Sequence, residues 1–100
     1  MVAAPHLSID TVVQRSRRVV FTPLDDDWLA IDAESGYCYN LNQVAGRVWQ
    51  LIEEPLAIRA VCRQLSREYR VSEAACQADV LELVQQCVEA GLATVIAASV

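Results

Sequence analysis

The chain lacks long hydrophobic runs and has few of the residues that mark irregular chains. No stretch of about 18 consecutive apolar residues occurs, so the sequence predicts no transmembrane helix. The first ten residues, MVAAPHLSID, also lack the basic and then apolar layout of a secretory signal, so we expect a cytoplasmic protein. With only three glycines and three prolines in 100 residues and a hydrophobic content of 54%, the chain is expected to fold as one domain.

Basic residues are also scarce. Eight basic residues stand against 13 acidic ones, which gives a formal net charge of −5. Binding to phosphate backbones depends on Lys and Arg displacing counterions, so an acidic domain is poorly suited to nucleic acid. The same argument applies to anionic membrane surfaces. We therefore expect neither nucleic acid nor membrane as a partner.

The residues of a typical metal or catalytic site are missing as well. The four cysteines are Cys38, Cys62, Cys76 and Cys87. They contain no C-x-x-C pair, and the single histidine, His6, falls in an N-terminal segment that we expect to be mobile. A zinc site or a Cys–His pair is therefore not expected, and no cofactor or enzymatic activity is predicted. We expect reduced cysteines that are buried as small apolar residues, with two disulfides as the alternative.

Three short strands are predicted in the first half of the chain. The segments RRVVFTPL, DWLAID and YCYNL have strand composition, and DAESG has turn composition with Gly36 suited to a positive φ. Short strands joined by tight loops predict an antiparallel meander. Residues 1–14 show no clear period and are predicted to form a flexible arm, which leaves 15–96 as the folded domain.

Helical spacing begins directly after the third strand. Asn42 is a good N-cap for a first helix, on which Val44, Val48, Leu51 and Ile52 are predicted to line one buried stripe. Pro55 ends this helix and also suits the first turn of a second helix at 56–69. Ser72 caps a third and longest helix, which Gly91 is placed to end, and LATVIA follows as a short extended segment. The predicted fold is α+β and winged helix-turn-helix-like, a three-stranded antiparallel sheet followed by three helices.

The third helix has a wider apolar sector than one core usually needs. At about 100° per residue the sector covers roughly half of the helix. Its centre holds Cys76, Val80, Leu83 and Cys87, and the opposite face holds Glu73, Asp79, Glu82 and Glu89. Either the helix is buried on two sides, or part of the sector lines a groove that stays open for a partner. The acidic face argues against a DNA-recognition helix.

Two further features favour binding to another protein or peptide. The YCYNL strand carries no charge, no proline and no lysine, so as an outer strand it would lack the usual protection against pairing. Beside the apolar sector it would form a cleft for an extended peptide. The second helix carries Arg59, Arg63, Arg67 and Arg70 in one line. That line is either a solvated face with weak ion pairs or a docking stripe for an acidic partner.

The runs DAESGYCYNLNQVAGRVWQLIEEP and EYRVSEAACQADVLELVQQCVEAGL resemble the PqqD-like family, whose members are also called RiPP recognition elements. The resemblance covers about residues 15–95 and is most specific at the SGYCYNLN junction. It implies that the leader segment of a precursor peptide pairs antiparallel with the third strand and rests against the third helix. By position, the implied peptide-binding residues are Tyr37, Cys38, Tyr39, Asn40, Cys76, Asp79, Val80, Leu83 and Cys87. Tyr39 can equally belong to the core, and the family usually has a larger aliphatic residue at the position of Cys87.

The resemblance implies a non-catalytic domain that delivers a precursor peptide to a modifying enzyme. The stretch LDDDWLAIDAESGYCYNLNQVAGRVWQL resembles lasso-pathway members slightly more than the other members, and those members bring the leader to a leader peptidase and then a cyclase. The alternative partner is a radical SAM enzyme of pyrroloquinoline quinone synthesis, and the rival functions are a winged-helix DNA-binding regulator and a structural subunit of a larger enzyme. A bare strand edge also permits a weak or swapped homodimer besides the monomer. The second helix offers Arg59, Arg63 and Arg67 as a candidate surface on which the modifying enzyme could dock.

Overall fold

The computed structural model describes residues 7–97, which form six strands and three helices. The strands are β1 (Val12–Arg15), β2 (Val19–Leu24), β3 (Asp27–Asp32), β4 (Cys38–Leu41), β5 (Leu56–Ala57) and β6 (Ala93–Ala97). The helices are α1 (Gln43–Leu51), α2 (Ile58–Tyr69) and α3 (Glu73–Glu89). The α+β fold class is confirmed. His6, which we expected in a mobile segment, lies outside the described residues.

The predicted meander is present as a sheet in the order β2-β3-β4. Both pairs are antiparallel, and Ala30 in the central strand lies opposite Phe21 on one side and Tyr39 on the other. The turn before β4 contains Gly36 at a φ of +78°, a left-handed conformation that glycine adopts at little cost. β4 is therefore an outer strand, as the sequence predicts.

The helix ends follow the local signals in the sequence. The Asn42 side chain accepts a 2.8 Å hydrogen bond from the Ala45 N–H, and the Ser72 hydroxyl accepts one of 3.2 Å from the Ala75 N–H. Each side chain satisfies a first-turn donor that the helix itself leaves without a partner. Gly91 follows α3 at a φ of +77°, which ends that helix.

A second sheet, in the order β5-β1-β6, was not predicted. It shows that the expectation of a flexible arm is wrong for residues 7–14, because Leu7 and Val13 are buried and Val12 pairs with Ala57 and Ala97. Residues 1–6 of the expected arm lie outside the described residues. Strand β1 has four residues, and its partners lie far away in sequence, so no local period reveals it.

Two expectations about the helices also need correction. Pro55 does not lie in the first turn of α2, because Leu56–Ala57 pair with β1 as β5 and α2 begins at Ile58. Val44, which helical spacing placed on the buried stripe of α1, is 43% exposed. The hydrophobic core between the sheets and the helices includes Val13, Val48, Ile52, Ile58, Val61, Leu65 and Val84.

Candidate functional site

The outer edge of β4 has backbone groups that no other described strand uses. The N–H of Asp32 donates a 2.9 Å hydrogen bond to the carbonyl of Tyr37. Bonded and non-bonded pairs alternate along an antiparallel ladder, so Tyr39 also bonds to β3, whereas Cys38 and Asn40 direct their N–H and C=O groups away from it. This edge is ready to accept another strand.

A groove lies along this edge, between β4, the first turn of α1, and α3. It consists of two adjoining cavities of about 560 and 400 Å³, which share Asn42, Ala45 and Leu83 as lining residues. The larger cavity is also lined by Cys38, Tyr39, Asn40, Leu41, Gln86, Cys87, Ala90 and Leu92. The smaller cavity is also lined by Val44, Val48, Asp79 and Val80. We name these two cavities together the β4–α3 groove.

The strand-to-helix junction shapes this groove. Leu41 ends β4 and Gln43 begins α1, so a single residue, Asn42, separates the two elements. Its side chain caps the helix through Ala45, and this fixes the first turn of α1 beside the strand. The opposite wall is a strip of α3 that includes Leu83, whose side chain packs partly on the core. The wide apolar sector of α3 is therefore divided between core and groove.

The buried thiols behave as apolar groups. Burial raises the pKa of the Cys87 thiol to about 11, so this thiol adds no charge to the groove at pH 7. Burial also raises the pKa of Cys62 to about 11 and that of Cys76 above its usual value. Those two thiols are buried near each other where α2 packs on α3. A thiol held neutral is a poor nucleophile, so these cysteines are suited to packing.

Most of the predicted site residues lie along the groove, but two do not. Cys38, Tyr39, Asn40, Asp79, Val80, Leu83 and Cys87 line it. Tyr37 is 69% exposed at the start of the strand and lines neither cavity. Cys76 is buried against Cys62 and also lines neither cavity.

Several lining residues were not predicted. Gln86 and Ala90 continue the strip of Asp79 and Leu83 at helical spacing, so the periodicity of α3 could have identified them. Ala45 lines the groove because the first turn of α1 faces α3 across the two cavities, and no local sequence signal indicates that arrangement.

Of the arginines predicted to dock a partner on α2, one is already held in an ion pair. Arg59 forms a 3.0 Å ion pair with Asp10, whereas Arg63 and Arg67 are exposed and form no ion pair within residues 7–97.

Within residues 7–97, no group of three or more His, Cys, Asp or Glu side chains is placed to hold a metal ion. None of the described helices is long and apolar enough to cross a membrane.

The stretch of sequence that forms this strand, helix and groove matches a known family. The family model described as coenzyme PQQ synthesis protein D (PqqD) matches residues 27–93, more than half of the chain. The chain belongs to the PqqD family. The matched segment runs from the start of β3 to the start of β6 and contains the whole β4–α3 groove. Among curated proteins, no sequence matches this PqqD-family chain.

Three solved structures share its fold. TbiB1 in complex with the TbiA(beta) leader peptide has a TM-score of 0.74 and 23% identity, over 84% of this chain and 98% of that one. Lasso peptide synthetase B1 complexed with the leader peptide has a TM-score of 0.72 and 23% identity, over 82% and 96%. The PqqD truncation of Methylobacterium extorquens PqqCD, a stand-alone RiPP recognition element, has a TM-score of 0.76 and 17% identity, over 88% and 94%. The three similarities confirm the fold of this PqqD-family domain.

Proposed function

We propose that this PqqD-family domain binds the leader segment of a ribosomally made precursor peptide and delivers it to a modifying enzyme. The leader adds to the free edge of β4 as an antiparallel strand. The observation that carries the proposal is the unpaired edge of β4 lying directly beside an open, largely apolar groove. Two of the structurally similar proteins, by their names, hold a leader peptide.

The backbone of β4 supplies the affinity that does not depend on leader sequence. Cys38 and Asn40 each offer one N–H donor and one C=O acceptor to the incoming strand. Each such hydrogen bond contributes about 0.5–1.5 kcal/mol net, so four of them fix the leader's direction and register without supplying all of its affinity. The rest comes from side chains of alternate leader residues, which face the groove on either side of Leu83.

The domain itself performs no chemistry in this proposal. The groove is lined by backbone, apolar side chains, amides, the Tyr39 ring and two thiols, and Asp79 is the one carboxylate in it. Its role is to raise the local concentration of the precursor beside an enzyme that cuts or modifies it. We propose the leader peptidase and cyclase of a lasso-peptide pathway as that machinery, since one of the similar structures is named a lasso peptide synthetase component.

The enzyme docks away from the groove in this proposal, on the exposed side of α2. Arg63 and Arg67 lie one turn apart and have no acidic partner within residues 7–97, while Arg59 is already held by Asp10. An acidic patch on the enzyme would complement them. The double charge reversal Arg63→Glu/Arg67→Glu is expected to weaken enzyme binding, measured in a pull-down, while leader affinity stays unchanged. An unchanged enzyme interaction would place the docking surface elsewhere.

The test of the leader proposal is a titration of the purified domain into labelled candidate leader peptides encoded by neighbouring genes. A working recognition domain is expected to bind one of them with a Kd below about 100 μM. A scrambled version of the same peptide controls for composition. Weaker binding to every candidate would contradict the proposal, and salt-dependent binding to duplex DNA would favour the rival function. Tight binding to a precursor of a radical SAM pathway would keep the recognition role and change the partner enzyme.

A further inference from the structure

We propose that the β4–α3 groove selects cationic leaders, with a Lys or Arg side chain placed beside Asp79 and an apolar anchor further along in the larger cavity. This inference rests on the proposed function and specifies the chemical class of its ligand. It is carried by the distribution of charge around the groove and by the order of the two cavities along β4.

The outer rim of the groove is acidic. Asp79 lines the smaller cavity, and Glu82 lies exposed on the next turn of α3, just outside the lining residues. The ion pairs within residues 7–97 join Arg15 to Glu53, Arg18 to Asp32 and Glu34, Arg47 to Glu68, and Arg59 to Asp10. None of them involves a residue of α3, so Asp79 and Glu82 form no ion pair with a basic side chain among the described residues.

The wall of the groove that faces α3 carries no positive charge that would repel a cation. No Asp, Glu, Lys or Arg from β4, the Asn42 junction or α1 lines the two cavities, and the lining residues there include Asn40, Asn42, Val44 and Ala45. A bound peptide therefore meets negative charge on one side and neutral groups on the other. Coulomb attraction favours Lys or Arg at this rim, and Asp or Glu there would be repelled.

The order of the cavities fixes where the cation lies in the leader. The larger cavity follows β4 from Cys38 to Leu41, and the smaller one lies beyond its C-terminal end, beside Val44. An antiparallel leader therefore enters the smaller cavity with its N-terminal part. Asp79 and Cys87 are eight positions apart on α3, which corresponds to about 12 Å along the helix axis. An extended peptide covers that distance in about four residues. The cation thus precedes the apolar anchor by about four residues.

The larger cavity is suited to a bulky anchor. Ala45, Cys87 and Ala90 are small side chains on its walls, and its volume of about 560 Å³ exceeds that of any one amino-acid side chain. The neutral Cys87 thiol adds no charge that a peptide would have to desolvate. We therefore expect Leu, Phe, Tyr or Trp at the anchor position.

The experiment is a selection of displayed random 14-residue peptides against three forms of the full chain. These are the wild type, the Asp79→Asn/Glu82→Gln variant, and the control variant Asp26→Asn/Glu54→Gln, which makes the same charge change outside the groove. The wild type and the control are expected to enrich Lys and Arg about four positions before an apolar residue, and the groove variant is expected to lose that enrichment. Replacing the selected Lys by Gln in a synthetic peptide should weaken binding about two- to five-fold, and less at high salt.

The selection also separates failure of this inference from failure of the proposed function. Peptides that bind the wild type, fail to bind Leu83→Arg and yet show no positive charge, or show negative charge, would overturn the cationic preference alone. If no peptide is enriched, or if the selected peptides bind Leu83→Arg equally well, the leader-binding groove itself is wrong.

Discussion

The indole of Trp28 lies directly against the backbone of Gly46, so strand β3 and helix α1 meet without a side chain between them. A Cβ at Gly46 would collide with the five-membered part of the indole ring. Phe21 stacks on the Trp28 ring, with ring centroids 4.4 Å apart. This contact holds α1 beside the sheet that carries β4, and therefore helps to position the groove.

Gly46→Ala is the variant that tests this contact. Alanine normally stabilises a helix relative to glycine by about 1 kcal/mol, but here its methyl group must displace an indole. We expect a net destabilisation of about 1–3 kcal/mol, typical of an overpacked core. Urea unfolding followed by tryptophan fluorescence measures it. Unchanged or increased stability would show that the two elements do not meet closely at this point.

The ion pair between Arg18 and Asp32 is expected to make the stability of the fold depend on pH. Burial raises the pKa of Asp32, but hydrogen bonds from the Glu34 N–H and from the Arg18 guanidinium at 3.1 Å outweigh it and hold this pKa below its usual value. The unfolded chain has an ordinary Asp pKa of about 3.9. The stabilisation is therefore fully present above about pH 4 and is lost as the pH falls through the folded-state pKa.

The corresponding measurement is a set of urea unfolding curves for the wild type and Asp32→Asn between pH 7 and pH 2.5. The wild type is expected to lose more unfolding free energy than the variant below about pH 4. Asp26→Asn, in the exposed turn between β2 and β3, is the matched control and should follow the wild type. Parallel curves for the wild type and Asp32→Asn would contradict the assignment.

The thiols offer a further test of how the chain is packed. Cys38 is exposed, whereas Cys62, Cys76 and Cys87 are buried. A disulfide reagent is expected to label one thiol per native chain within seconds and all four after denaturation, because buried thiols with a raised pKa carry little thiolate. Mass spectrometry identifies the labelled residue. Rapid labelling of Cys87 would contradict the burial of its thiol.

Local signals in the sequence predicted the elements that local chemistry determines. Asn42 and Ser72 mark helix starts because a cap needs only its own first turn, and Gly91 marks an end because few other residues adopt its φ. The second sheet was not predicted because its strands are short and their partners lie far away in the sequence. Val12 pairs with residues 45 and more positions away, so nothing near it in sequence signals the pairing.

In the candidate site, too, the features that depend on local patterns were predictable and those that depend on packing between elements were not. The outer position of β4 and the strip of α3 around Leu83 follow from strand order and helical period. The contribution of Ala45 and Leu92 depends on how α1 and the end of α3 pack, which periodicity does not specify. The same limit applies to Cys76, whose place on the apolar sector did not tell whether it faces the groove or α2.

Leu83 should be the most sensitive side chain of the groove. It borders both cavities, so Leu83→Arg places a charge in the path of the leader and is expected to reduce binding at least tenfold. Val20→Arg is the control, because Val20 is 54% exposed on a strand away from the groove. Circular dichroism checks that both variants fold. Leader binding that survives in folded Leu83→Arg would place the binding surface elsewhere.

The most direct test of strand addition concerns a single backbone N–H. The amide of Asn40 faces the free edge of β4 and donates no bond to β3, so Asn40→Pro removes a donor from the edge while the sheet keeps its own hydrogen bonds. Asn40→Ala changes the side chain and keeps the N–H. Isothermal titration of a bound leader peptide into both variants is expected to show near wild-type affinity for Asn40→Ala and at least a tenfold loss for a folded Asn40→Pro. Equal affinity for the two variants would contradict leader binding by strand addition.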